Sequence, residues 1–337
     1  MPHLDHQFGL SYITPNEVAD HVKKHSDHIL GVIGFGQQTT YLHTPEPVWV
    51  NIPVLGGSPA TLEIWTSKAP VSSCSHNSIK GTCDGQILFG SLSLEQHKGT
   101  TLQALAKQAY TQIFEFIDHH SYPHLLRVWH YFPQINDSDD HGLERYRGFN
   151  VGRHDAFVAN GRQISEESVP AASALGSESG SLTIYFMASK QPGKSVDNPR
   201  QVSAYNYPQS FGPRSPIFVR AMSVNLGGQQ CFFISGTASI VGYETVHHGD
   251  VAKQATETLL NIRTLLQQEP SYDPEHGNML LKIYLRNMND LEIVSTKVLS
   301  EFGTRCRAIY LHSNICRSDL LLEIEGVYFN DHKQKID

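Results

Sequence analysis

One structural unit is written twice in this chain, and a duplicated unit restricts the fold more than any single motif does. In the C-terminal half, apolar residues 231–234 read as a strand running into Ser235, Gly236, Thr237, Ala238 and Ser239. Residues 250–267 then place Val251, Ala255, Leu259, Ile262 and Leu266 on one helical face. A strand at 280–285, a helix at 290–302 and a closing strand through Glu323 complete the order strand, helix, strand, helix, strand. The N-terminal half repeats that order. A strand at 87–89 leads into Gly90 and Ser91, and a helix at 101–118 carries Leu105, Ala109, Gln112 and Phe116 on successive turns. A strand at 126–132, a helical segment at 143–149 and a strand at 182–187 follow, so that Gly90 aligns with Gly236 and Ser91 with Thr237. The pattern predicts an α/β protein of two tandem repeats, each a mixed sheet covered by helices.

The copies differ in their closing strands. The second runs from Cys316, Arg317, Ser318 and Asp319 into Leu320, Leu321, Leu322, Glu323, Ile324 and Glu325, whereas residues 181–188 of the first contain no acid. A carboxylate inside an apolar strand is expensive to desolvate unless it is satisfied or used. Strand alternation puts Glu323 and Glu325 on one face, where their repulsion raises one pKa, as a general acid requires. A sheet edge with two solvated carboxylates fits the same residues. Chemistry is therefore expected in the second copy.

The first forty or so residues read as an N-terminal extension, assigned to 1–44, with a helix at 15–25 capped by Thr14 and opened by Pro15. The first repeat is placed at 45–193, the second at 194–330, and a tail at 331–337. Residues 173–181, rich in Gly and Ser, and residues 188–216, rich in Pro, Gly, Ser and Asn, read as surface connections.

With 39% apolar and 18% charged residues among 337, the chain is globular rather than disordered. A net charge of −7 without a Lys/Arg block argues against a nucleic-acid or anionic-membrane surface. No apolar run reaches the length of a membrane span. His3, Asp5 and His6 stand where a secretory signal would need a basic and then an apolar segment, so a cytoplasmic location is expected. Five scattered cysteines, with Cys74 and Cys83 nine apart, are expected to be reduced thiols.

Gly31, Gly34 and Gly36 lack the spacing and the following helix of a dinucleotide loop. The adjacent pairs His119/His120 and His247/His248 point in divergent directions, and no metal site is expected. The Ser235–Gly236–Thr237 step, at a strand end before a helix, suits either a turn or anion binding by backbone amides. Two arginine groups stand out: Arg145, Arg147 and Arg153, and then Tyr205, Tyr207, Arg214 and Arg220 in the connection. Together they suit a bidentate clamp on two carboxylates, and separately they suit solvated surface.

Ser235, Gly236 and Thr237, with Arg317 six residues before Glu323, Ile324 and Glu325, resemble the RidA/YjgF-like (chorismate-mutase-like) fold. In that fold the arginine holds a substrate carboxylate and the first glutamate handles a proton. The doubled chain also carries Asn198 through Pro208, reading Asn-Pro-Arg-Gln-Val-Ser-Ala-Tyr-Asn-Tyr-Pro, and Arg145, Tyr146, Arg147, Phe149, Gly152 and Arg153. In these features it resembles the chorismatases from about residue 45 onward. The resemblance implies cleavage of the enolpyruvyl ether of chorismate with release of pyruvate and no cofactor. Glu323 would be the general acid, and Cys316 with Ala238 would sort the product. The cysteine is similar to members that make 3-hydroxybenzoate, and the mixed pair to those that also make 4-hydroxybenzoate. Arg147, Arg153, Tyr205, Tyr207 and Arg220 would bind substrate, beside Gly236, Thr237 and Arg317. A hydrolytic chorismatase giving a dihydroxy-cyclohexadiene carboxylate, an enamine or imine deaminase, and a non-catalytic metabolite-binding module remain open on these residues. So do a monomer and a RidA-like homotrimer.

Overall fold

The computed structural model describes residues 7–41, 43, 45–57 and 60–330, so the expected tail at 331–337 lies outside the described residues. The N-terminal part holds β1 (Gly9–Ile13), α1 (Val18–His25), β2 (Ile29–Gly36), β3 (Val48–Val50), β4 (Val54–Leu55) and β5 (Ala60–Thr66). Thr14 and Glu17 form a capping box before α1, which satisfies backbone N–H groups that the first helical turn cannot pair. β1, β5, β2 and β3 lie side by side as a sheet. Seven of the eight residues of β2 are buried, and β2 pairs with β5 across the boundary expected at residue 44. The reason is physical: an apolar strand of this kind needs neighbours on both edges, so the opening segment is a third sheet rather than an appendage. Gly34 belongs to that strand and lets Trp49 lie against the backbone, where a Cβ would come within 2.4 Å of its ring.

The first repeat comprises β6 (Ser72–His76), β7 (Ile79–Cys83), β8 (Ile87–Leu94), α2 (Leu102–His119), β9 (His124–Pro133), α3 (Arg145–Ala159), β10 (Ala171–Ser177) and β11 (Leu182–Ser189). The second comprises β12 (Lys194–Val196), β13 (Ala221–Leu226), β14 (Gln229–Thr237), a small hairpin of β15 (Ile240–Val241) and β16 (Glu244–Thr245), α4 (Val251–Leu266), β17 (Asn278–Leu285), α5 (Leu291–Phe302), β18 (Arg307–His312) and β19 (Leu322–Phe329). The sheets run β6-β7-β8-β11-β9-β10 and β12-β13-β14-β19-β17-β18, with β4 added to the far edge of the second. In each, the strand after the second helix pairs parallel to the strand before it, β10 with β9 and β18 with β17. The duplication is thus present strand for strand.

Three expectations need correction. Residues 171–177 are a strand and not a loop; Ala, Ser and Gly carry little apolar signal, but most of the strand is buried beside β9. α3 runs to Ala159, so Arg147 and Arg153 share one helix. The connection at 188–216 contains β12, which pairs with β13.

The largest core lies where the three sheets face one another, with Phe35 and Trp65, then Phe89 and Trp129, then Phe233 and Val327. A separate core under α4 and α5 takes Ile262, Leu265, Ile283, Leu322 and Ile324. β19 therefore gives Leu322 and Ile324 to its own helices and turns Glu323 and Glu325 toward the other sheets. Among the described residues no helix is long and apolar enough to cross a membrane.

Candidate active site

The two carboxyl groups on the inner face of β19 meet very different surroundings. Glu325 is fully buried and accepts from Arg127 and Ser173 on one oxygen, and from Tyr284 at 2.7 Å on the other, with Lys282 Nζ 3.0 Å away. Burial alone would raise its pKa, but Lys282 and Arg127 outweigh burial and hold the carboxyl below its usual range. Glu323 is 4% exposed and forms no ion pair among the described residues; its polar neighbour is the thiol of Cys316, with Sγ 3.9 Å from Oε2. Burial first and Glu325 second push its pKa up to about 8, against the opposing pull of Arg127 and Cys316. Glu323 is accordingly biased toward its protonated form at neutral pH. The Cys316 thiol is raised by burial and by Glu323, so it stays protonated as well.

The berth of Glu323 is cut by Gly236. β14 bulges between Ile234 and Thr237 against β19, and a Cβ on Gly236 would lie 2.0 Å from Glu323 Oε1. Ser235 beside it accepts from Ala172 N at 2.9 Å and donates to Val219 O, tying β10 of the first repeat to the second. Thr237 donates to the Ser235 carbonyl at 2.8 Å and does not line the cavity. Of the two readings of this step, the turn is corrected: Ser235, Gly236 and Thr237 are the last residues of β14, at its bulge, while the helix expected from about residue 250 begins at Val251.

Glu323 opens into a cavity of about 440 Å³ between the repeats, lined by Arg147, Tyr207, Arg220, Gly236, Ala238, Cys316 and Arg317 among others. A recess of about 40 Å³ continues past Glu323 and Cys316 to Arg153, Asn150 and His130. It has room for a small polar group beside Arg153. Arg153 is 2% exposed, its guanidinium stacks over Tyr110 at 4.8 Å, and its Nε and Nη2 make no hydrogen bond among the described residues. Arg220, also buried, donates to Val202 O at 2.7 Å and Tyr207 OH at 2.8 Å, and its Nε has no partner among the described residues. Buried guanidinium N–H groups without acceptors are costly in an empty site and are satisfied by a bound anion. Arg147 is half-exposed and paired with Glu144 at 3.0 Å. Arg317 donates to Tyr243 O at 2.9 Å and stacks over Phe211 at 4.3 Å.

Of the residues picked from sequence for binding or catalysis, Tyr205, Thr237, Arg145 and Arg214 stay outside the cavity and its recess; Tyr205 packs against the inter-sheet core, and Arg145 donates to Pro133 O and Gln96 Oε1. Tyr146, Asn150, Phe211 and Phe218 line the site and were not picked. Tyr146, Asn150 and Arg153 are spaced four and three apart, one face of a helix, and extending α3 past Phe149 would have exposed that signal. Among the described residues, no three His, Cys, Asp or Glu side chains converge to hold a metal.

A buried carboxyl seated on a glycine, with buried cations open to both the recess and the main cavity, has the chemistry to pass a proton beside a bound anion. Residues 63–188 match the family model described as Chorismatase FkbO/Hyg5-like, N-terminal. A chorismatase of Streptomyces rapamycinicus is 37% identical over 275 residues, which are 79% of this chain and 81% of that protein. A 3-hydroxybenzoate synthase of Streptomyces hygroscopicus is 32% identical over 336 residues, 95% of this chain and 97% of its own length. A chorismatase crystal structure matches with a TM-score of 0.83 at 29% identity, covering 95% of this chain and 98% of the other. The chain belongs to the chorismatase family.

Proposed function

We propose that this enzyme cleaves the enolpyruvyl ether of chorismate to pyruvate and 3-hydroxybenzoate, with 4-hydroxybenzoate as a companion product. The observation that carries this reading is the buried Glu323, its pKa pushed up by burial and by Glu325, at the edge of a cavity whose two buried arginines, Arg153 and Arg220, have donors without a partner among the described residues. Chorismate is a dianion. One carboxylate pairs with Arg153 in the recess, and the other meets Arg220 and Tyr207 in the wider cavity. The second repeat supplies the acid, and the first repeat and the connection supply the walls.

Glu323 gives its proton to the terminal methylene of the enol ether, which makes the ether carbon cationic and the pyruvyl oxygen a good leaving group. The neighbouring ring hydroxyl then displaces that oxygen at the ring carbon and loses its proton, and the resulting arene oxide opens and aromatises. Atoms balance without water, because pyruvate and hydroxybenzoate together are isomeric with chorismate. Cys316 presents a neutral thiol beside Glu323, where hydrolysis would need a water. The five cysteines, all unpaired, suit a reducing compartment, and we place the enzyme in the cytoplasm.

The test is incubation of the purified protein with chorismate, pyruvate being followed by a coupled dehydrogenase and the ring product by chromatography. Pyruvate with 3-hydroxybenzoate is expected. Binding without pyruvate, or ammonia released from imine substrates instead, overturns the reading. Cys316→Ala is expected to move product toward the dihydroxy acid, and an unchanged ratio removes Cys316 from the partition.

A further inference from the structure

Beneath Glu323 lies a buried tetrad that draws on all three sheets: Glu63 of β5, Arg127 of β9, Lys282 of β17 and Glu325 of β19, none more than 3% exposed. Lys282 Nζ stands 2.7 Å from Glu63 and 3.0 Å from Glu325 and donates to Tyr185 OH at 2.7 Å. Arg127 Nη2 donates to Glu325 and Ser173. Two carboxylates against two cations leave the cluster neutral. Buried ion pairs of this kind contribute little net stability, since desolvation offsets the attraction, so their retention calls for another account.

The arrangement of charge supplies one. Glu323 and Glu325 are two residues apart on the same strand face, and the field of Arg127 reaches both. The ion pair, however, goes to Glu325. Glu323 otherwise faces Cys316 and the phenol of Tyr146 from α3, with neutral His130 and Arg153 in the recess and Arg317 across the cavity. Glu325 otherwise faces the phenols of Tyr12, Tyr131, Tyr185 and Tyr284, all held neutral by burial.

We propose that Glu325, with Arg127 and Lys282, forms a positioning group for the acid: by engaging Arg127, Glu325 denies Glu323 a counterion and keeps its proton available for transfer at neutral pH. This rests on the acid role of Glu323. Removing the Glu325 charge frees Arg127 to draw Glu323 toward the carboxylate form. Removing the Arg127 charge leaves Glu325 facing Glu323 with less compensation, which holds the proton more tightly.

The two changes therefore act in opposite directions, a signature that a merely structural role does not give. In Glu325→Gln the falling alkaline limb of kcat/KM is expected to move at least one pH unit toward acid, and in Arg127→Met it moves toward alkali. The protonated-carboxyl infrared band that Glu323→Gln abolishes is followed over the same pH range and is expected to shift with the limb. The double variant Glu325→Gln/Arg127→Gln, which removes one charge of each sign and leaves no freed cation beside Glu323, is expected to bring both readouts back toward the wild-type position. Should Arg127→Met not fold, the acid shift in Glu325→Gln and its reversal in the double variant decide the matter. Readouts that stay in place, or move the same way in both single variants, overturn the proposal. A band that shifts in opposite directions while turnover ignores it upholds the tetrad and overturns the acid role of Glu323 instead.

Discussion

Replacing Glu323 with Gln should stabilise the protein, and by an amount that depends on pH in a calculable way. The carboxyl has a pKa of about 8 when folded against an ordinary value of 4.5. A group whose folded pKa is raised contributes fully below the unfolded value, and its contribution is lost as pH rises toward the folded one. Between those values the folded chain holds a proton that the unfolded chain has released. Wild-type stability accordingly falls by about 1.4 kcal/mol per pH unit from this group alone. Summed to pH 7 the cost is about 3 kcal/mol, and to pH 5 it is below about 1 kcal/mol. Gln fills the same space without titrating, and whatever its own hydrogen bonds cost does not vary with pH. Urea denaturation of wild type and Glu323→Gln at pH 5 and pH 7 isolates the difference. The variant's advantage should grow by about 2 kcal/mol between the two conditions. A gap that stays constant with pH would refute the claim that the folded site holds a neutral acid.

Four further outcomes follow from the same geometry. Glu323→Gln should bind chorismate with little change in Kd while turnover falls about 100-fold or more, measured by pyruvate release. In the wild type, kcat/KM should decline as pH passes about 8, because the acid must be protonated to act. Gly236→Ala places a methyl 2.0 Å from Glu323 Oε1 and should reduce kcat more than it weakens binding, a split that steady-state kinetics resolves. Arg153→Met should raise KM roughly 30-fold or more. Its cost to the thermal stability of the free enzyme should be small, since Nε and Nη2 have no hydrogen-bond partners among the described residues and the loss is the stacking over Tyr110.

Much of this site was legible because strand periodicity and the price of burying charge are local properties. Glu323 announced itself as an acid in an apolar run, Arg153 and Arg220 stood in two arginine groups, and Cys316 followed from the family resemblance. What stayed hidden was non-local. β10 is a buried strand made of Ala, Ser, Leu and Gly, so nothing in its composition separates it from a linker; only its pairing with β9 makes it a strand. The N-terminal sheet was missed for a related reason, since β2 needs β5 from beyond a loop. Arg127 and Lys282 sit inside strands that read as apolar, and their role appears only when three sheets converge.

That convergence also explains why a doubled scaffold has one acid. Tyr284 pairs with Glu323 across β17 and β19, and in the first repeat Tyr131 pairs with Thr183 across β9 and β11. The same ladder sets Lys282 opposite Glu325 and Trp129 opposite Tyr185. The two tyrosines meet hydroxyl to hydroxyl at 2.7 Å, so the repeats face each other with matched strands and unmatched chemistry. A second acid in place of Thr183 would add another buried carboxyl near a tetrad whose cations are already committed. The neutral balance at the junction is therefore compatible with one protonated glutamate, and the first repeat contributes Arg127 and part of the cavity wall.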